Sequence, residues 1–476
     1  MYFDSPVYVV FLLLVVPTYW LLPHRKQNVL LLAASYFFYG WWDYRFLGLI
    51  LISTIVDFVC ARIISESSDS RRRTQLLVVS LAVNFVFLGF FKYYNFFAVS
   101  LASSLNSVGI EVSPRLLAIL LPPGISFYTF QEVAYIVDVY KRRIAPAKSF
   151  VDYALFISLF PHLIAGPIQR PSHLLPQVQQ PRTADARKIL DGVMLILSGL
   201  FRKCVVADNC ALLANAAFNG QLGGYNVATV LLGTYAFAWQ IYGDFSGYSD
   251  IARGSAQLLG FHFMVNFRQP YLAVSLQDFW RRWHISLSSW LRDYLYIPLG
   301  GSRGGGEAKT QRNLILTMLI GGLWHGANWT FVLWGMLHGV GLAIERTIRR
   351  LLPAAEAPDS PRRLGFLRVW GRRIVLFHVV CLAWVFFRAE SVAAAMRFIA
   401  GLGHTAWRSE YFTALELLTI AMLPLALLDL RLERTGEEYG FEAGTPVARL
   451  AFAGALVVAL IAFSANASSA FIYFQF

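Results

Sequence analysis

Apolar residues dominate this chain in long runs, with short polar interruptions. A bilayer-spanning helix needs about 20 mostly apolar residues, with roughly 17–25 tolerated. Stretches 7–22, 28–41, 46–61, 75–91, 226–243, 374–392, 411–428 and 447–465 meet or approach that length. Five more apolar regions, 92–105, 116–140, 149–168, 189–201 and 313–344, carry Pro, Gly or polar interruptions. The pattern predicts an all-α polytopic membrane protein with about ten to thirteen embedded helices, some of them incomplete spans. The first run, 7–22, lacks a basic region before it and a small-residue cleavage site after it, so it reads as a retained span rather than a removable leader.

Composition agrees with the pattern. Of 476 residues, 57% are hydrophobic and only 14% are charged, against about 25% charged in a soluble domain. The net charge of +13 does not point to nucleic acid, because Lys and Arg sit in short clusters between apolar runs, as in cytoplasmic loops of membrane proteins. His24-Arg25-Lys26, Arg71-Arg72-Arg73 and the stretch 346–373, with eight Arg against two acidic residues, are such clusters. They place both chain termini on the outer side. Cys60, Cys204, Cys210 and Cys381 form no C-x-x-C pair and read as small buried residues. Mid-membrane acids that would couple ions, and the inverted repeats of a transporter, are not evident.

One apolar region has basic residues at both ends. Lys309 and Arg312 precede 313–344, and Arg346, Arg349 and Arg350 follow it. With both flanks on one side, the segment must enter, turn and return. Its first arm reaches roughly 20 Å by residue 325 at about 1.5 Å per residue. The turn then falls at His325-Gly326-Ala327-Asn328, between Trp324 and Trp329. Irregular backbone at membrane depth is tolerated only where protein or a water-filled cavity surrounds it, so a cavity is expected with His325 at its wall. Two roles are open to His325. Burial favours a neutral imidazole, which can accept a proton from a nucleophile; a histidine bridging helices for structure would look the same in sequence.

Other candidates are weaker. His284 lies in an aromatic, basic stretch, Phe279 to Tyr294, whose Arg281, Arg282 and Arg292 could hold phosphates or merely anchor an interfacial helix. Asp244 and Asp250 close an apolar span and could orient a histidine or pair with an arginine. Gly300 to Gly306, enclosing Arg303, could cradle phosphate but lacks the Walker spacing and reads better as a loop. His162 and His338 favour structural or packing roles. No H-E-x-x-H or G-x-S-x-G motif is present, so no metal site and no serine-hydrolase triad is expected.

Together, Leu121-Pro-Pro-Gly-Ile-Ser-Phe-Tyr-Thr-Phe130, Ile136-Val-Asp-Val-Tyr140, Gly243-Asp-Phe-Ser-Gly-Tyr-Ser-Asp250, Phe279-Trp-Arg-Arg-Trp-His-Ile-Ser-Leu287, Trp290-Leu-Arg-Asp-Tyr-Leu-Tyr296, Gly321-Gly-Leu-Trp-His-Gly-Ala-Asn328 and a closing Tyr-Phe-Gln-Phe resemble the membrane-bound O-acyltransferases. Within that family they resemble most the branch serving bacterial alginate O-acetylation. The resemblance implies one membrane domain over 1–476: N-terminal spans 1–115, a catalytic core 116–345, a basic cytoplasmic loop 346–373 and C-terminal spans 374–476. It implies a ring of tilted helices around a thin centre, with funnels from both faces and re-entrant segments. It puts the family's near-invariant histidine at His325 and a second important one at His284. The implied activity moves acetyl groups from cytoplasmic acetyl-CoA across the inner membrane to an exopolysaccharide, with periplasmic O-acetylation proteins as partners. Arg281, Arg282 and Arg303 are then the expected phosphate-binding groups, and Trp324 or Asn328 the expected hydrogen-bond donor to the oxyanion. The rival readings are a different acceptor (peptidoglycan, cellulose, another polymer or a lipid), a transporter, and a scaffold that makes no bonds.

Overall fold

The computed structural model describes residues 1–164, 166–303, 305–351, 362–442, 444–465 and 471–472. The described residues are helical, with no strand among them, so the all-α expectation holds. Tyr44–Glu66, Ser70–Ser107, Gly365–Arg388, Glu410–Thr435 and Pro446–Phe463 are long and apolar enough to cross a membrane. Other apolar runs form shorter helices, and the reason is local. Apolar runs with internal Pro and Gly break into shorter helices. The run 149–168 divides at Leu159, with Pro161 in the first turn of a second, four-residue helix. The run 116–140 becomes helical only after Pro122-Pro123-Gly124, where Gly124 adopts φ 75°.

Contacts divide the chain into two compact units. The first comprises residues 1–196 and 248–264. It holds α1 (Pro6–Trp20), α2 (His24–Gly40), α3 (Leu47–Glu66), α4 (Ser70–Leu88), α5 (Tyr94–Ser107), α6 (Ile125–Tyr140), α7 (Phe150–Ser158), α8 (Phe160–Leu163), α9 (Pro171–Gln179), most of α10 (Ala186–Leu200) and the end of a later long helix. Its interior contains two carboxyl groups that the sequence reading overlooked. Asp57 accepts hydrogen bonds from Ser80 Oγ (2.5 Å) and Asn84 Nδ2 (3.0 Å), and Glu132 accepts from Ser53 Oγ (2.8 Å). Both residues are fully buried, and helix-borne hydroxyl and amide groups supply the bonds that water would otherwise make.

The second unit comprises residues 197–247 and 265–476. It holds α11 (Asp208–Phe218), most of α12 (Val227–Leu258), α13 (Leu276–Arg282), α14 (Ile285–Leu291), α15 (Gly306–His325), α16 (Trp329–Leu351), α17 (Arg362–Arg388), α18 (Val392–Ala400), α19 (Glu410–Thr435) and α20 (Pro446–Phe463). Here 313–344 folds back on itself as expected: α15 and α16 form a hairpin. Within the basic segment 346–373, α16 runs to Leu351 and α17 starts at Arg362; 352–361 lie outside the described residues. Cys60, Cys210 and Cys381 are buried free thiols and Cys204 is half-buried. The Tyr-Phe-Gln-Phe terminus, 473–476, also lies outside the described residues.

Candidate active site

The hairpin tip owes its shape to glycines and one asparagine. Gly326 leaves the helix with extended backbone, ending α15 at His325. Asn328 starts α16, its Oδ1 accepting from Thr330 N–H at 3.1 Å. Glycines let the arms meet. A Cβ at Gly322 would lie closer than 3.0 Å to Phe331 O, one at Gly335 closer than 3.0 Å to Met318 O, and one at Gly339 2.8 Å from Ile315 Cα. Backbone therefore packs on backbone, the same close approach that small-residue repeats provide between membrane helices.

At this tip His325 is 3% exposed. Its ring is boxed by Trp324, Trp334 and Phe387, with centroids at 4.9, 5.0 and 5.3 Å. His284 lies 6.3 Å away, ring to ring, and Trp324 touches both. His284 sits between α13 and α14 with φ 43° and ψ 55°, a left-handed conformation uncommon for a side-chain-bearing residue. Its surroundings hold it there. Asn266 O accepts Ile285 N–H (2.9 Å), Asn266 Oδ1 accepts Ser286 Oγ (2.9 Å), and Arg268 N–H donates to Arg282 O (2.9 Å). Phe245 packs 4.5 Å from the ring. Left-handed non-glycine residues cluster at functional sites.

A cleft of about 800 Å³ opens among α13, α14, the π-helical turn Arg292–Tyr296 and the bases of α15 and α16. Five arginines line it, Arg281, Arg292, Arg346, Arg349 and Arg350, against Glu307 and Glu345. Glu307 holds Arg346 at 2.6 Å and Arg350 at 3.5 Å, Gln277 holds Arg349 at 2.6 Å, and Arg349 also pairs with Glu345. The hydrogen bond from Arg346 keeps the Glu307 carboxyl below its ordinary value. The guanidiniums are thus fixed in place, with positive charge in excess, as suits a phosphate-bearing ligand. Thr317 and Met318 lie on the cleft wall, seven residues and about 10 Å along α15 before His325.

The structure sorts the expected site residues. It brings His325, His284 and Trp324 together and puts Arg281 in the cleft wall. Arg282 does not face the cleft: Asp278 (2.9 Å) and Glu433 (2.6 Å) engage its guanidinium. Arg303 is exposed, and its neighbour Ser302 lines the cleft instead. Of the surrounding glycine loop, Gly304 lies outside the described residues. Asn328 caps α16 through its Oδ1 and donates one Nδ2–H to Glu390 O (2.9 Å). Asp244 pairs with Lys203 (3.0 Å) and accepts Ile472 N–H (2.7 Å), and Asp250 pairs with Arg253 (3.6 Å). Arg346, Arg349 and Arg350, expected only as the basic flank of the hairpin, line the cleft; their spacing of three and four places them on one helix face.

A family model of the membrane-bound O-acyltransferases matches residues 142–387, just over half of the chain. The chain belongs to that family. Among similar proteins of this family is the probable alginate O-acetylase AlgI of Azotobacter vinelandii, 42% identical over 84% of this chain and 78% of that one. Its counterpart in Pseudomonas putida is 38% identical over 100% of both. The peptidoglycan O-acetyltransferase of Helicobacter pylori is 36% identical over 76% of this chain and 71% of its own. The protein is accordingly a multi-pass membrane O-acyltransferase, and 142–387 spans both histidines, the hairpin and the basic cleft.

Proposed function

We propose that this membrane O-acyltransferase takes acetyl groups from cytoplasmic acetyl-CoA and delivers them across the bacterial inner membrane for O-acetylation of an exopolysaccharide, alginate. One observation carries the reading: an imidazole pair, His325 and His284, is buried in an aromatic chamber on the same hairpin and helix pair that wall an arginine-rich cleft. The cleft suits the nucleotide phosphates of the donor. The similarity to proteins called alginate O-acetylases, at 38–42% identity over most of the chain, supports the polymer.

His325 acts as general base. It takes the proton of an acceptor hydroxyl as the oxygen attacks the thioester carbonyl. Collapse of the tetrahedral adduct breaks the C–S bond, and the imidazolium returns the proton to the departing thiolate. Such assistance is worth roughly 10²–10⁴-fold. His284 assists that transfer or positions the acceptor. Periplasmic O-acetylation proteins then place the acetyl group on the polymer.

The test compares His325→Ala with wild type, at matched membrane levels, for O-acetyl content of exopolysaccharide and of peptidoglycan. Loss from the exopolysaccharide alone is the expected result. Loss from peptidoglycan instead assigns the acceptor that the Helicobacter relative's name carries, and full retention overturns the catalytic reading in favour of a scaffold.

A further inference from the structure

A second basic groove, separate from the cleft, lies in the same unit. It has a volume of about 370 Å³ and runs between α17 and α19. Phe366, Val369, Trp370 and Arg373 line it from α17, and Leu430 and Arg434 from α19. Spacings of three and four residues put each set on one face of its helix. Both helices are long and apolar enough to cross a membrane. The groove lies at the first turns of one and the last turns of the other, where their arginines gather. That is the level of lipid head groups.

The charges at the groove do not balance. Glu433 accepts from Arg373 (2.9 Å) and from Arg282 (2.6 Å), so one carboxylate serves two guanidiniums. Asp278 adds a second carboxylate at Arg282 (2.9 Å), which leaves Arg434 in excess. Arg434 is exposed and makes no ion pair among the described residues. Arg373 stands over the Trp370 ring, its guanidinium carbon 5.0 Å from the ring centre. Its Nε is buried without a hydrogen-bond partner among the described residues. A buried donor without an acceptor is costly, and this one belongs to a side chain that lines an opening.

The rest of the wall is apolar, with Phe366 and Val369 exposed. A small soluble anion would leave those side chains uncovered. A zwitterionic lipid would leave the excess positive charge unmatched. An anionic lipid satisfies both: guanidiniums bind phosphate by charge-assisted hydrogen bonds, and basic pockets between membrane helices suit such head groups.

We propose that the groove between α17 and α19 holds an anionic phospholipid, with Arg373 and Arg434 on its phosphate and its acyl chains along Phe366, Val369 and Leu430. The site concerns the seating of the second unit in its bilayer and is independent of the acyl donor and acceptor.

The test uses native mass spectrometry of the full chain in detergent, titrated with dioleoyl phosphatidylglycerol, dioleoyl phosphatidylcholine or glycerophosphate. The tightest-bound lipid is expected to be phosphatidylglycerol, with glycerophosphate not retained. Arg434→Gln should weaken phosphatidylglycerol by about fivefold, the effect of about one basic residue at a membrane surface, and leave phosphatidylcholine unchanged. Arg372→Gln removes the same charge from α17 outside the groove wall and should have a smaller effect. Equal affinity of wild type for the two lipids overturns the proposal. So do equal losses in the two variants, which would mean a diffuse surface field, and glycerophosphate binding as tight as that of phosphatidylglycerol, which would mean a small-anion site.

Discussion

His162 and His325 look alike in sequence: each stands in an apolar run, with glycine close behind and a helix ending nearby. The structure separates them. In the first unit, His162 lies within the short α8 with its Nδ1 3.0 Å from the Gln131 amide nitrogen, and a Cβ added at Gly166 would lie closer than 3.0 Å to the His162 Cα and Cβ. In the second unit, His325 is enclosed by three aromatic rings and faces another imidazole, and the hairpin that carries it widens into a basic cleft. A buried histidine whose nearest polar neighbour is a fixed amide is part of the frame. One caged by rings on a hairpin that also walls an arginine-lined cleft is the candidate for chemistry.

The sharpest break of this comparison is turnover. His325→Ala should lose roughly 10²–10⁴-fold in acetyl transfer per folded molecule. His162→Ala should keep its specific activity and lose instead about 1–3 kcal/mol of stability, because the Gln131 amide is left unpaired in the interior. Acetylation assays normalised to folded protein check both, and equal losses would erase the distinction.

Next come the glycines. Gly335→Val drives a side chain into Met318 O and should cost about 1–3 kcal/mol by overpacking, whereas Gly365→Ala, with nothing within 4 Å of the added Cβ, should be neutral; unfolding midpoints in detergent report the difference.

A smaller effect is expected at the cleft. Arg281→Ala or Arg346→Ala should weaken equilibrium binding of CoA by about 3–10-fold, on the scale of one charge-assisted hydrogen bond, and more so at low salt. Arg303→Ala should leave it unchanged.

The smallest concerns acid. The Glu307 pKa is depressed below 4.5, so its pair with Arg346 contributes stability above that pH and loses it as pH falls through the lowered value. The gap in unfolding midpoint between wild type and Glu307→Gln should therefore close on acidification below pH 4.5.

What the sequence made legible was local. Glycines and polar residues inside an apolar run, flanked by arginines on both sides, were enough to place the turn at 325–328 and to make His325 its centre. What it concealed depends on distant partners or on chemistry with two readings. Arg282 resembled Arg281 until Glu433, 151 residues away, claimed it. Asn328 resembled an oxyanion donor, but Asn-x-Thr at a helix start is also a cap. Asp57 and Glu132 escaped notice because each finds its neutral partners on a neighbouring helix, Ser80 and Asn84 for one and Ser53 for the other.

The left-handed backbone at His284 bears on how any mutational scan of this chain is interpreted. Alanine there removes an imidazole and at the same time imposes a methyl-bearing residue on a conformation it disfavours, so a lost phenotype would confound chemistry with geometry. Asparagine tolerates that conformation better than most residues. His284→Asn, set beside His284→Ala, therefore isolates the ring: equal defects assign the role to the imidazole, and a milder asparagine assigns the excess to the turn.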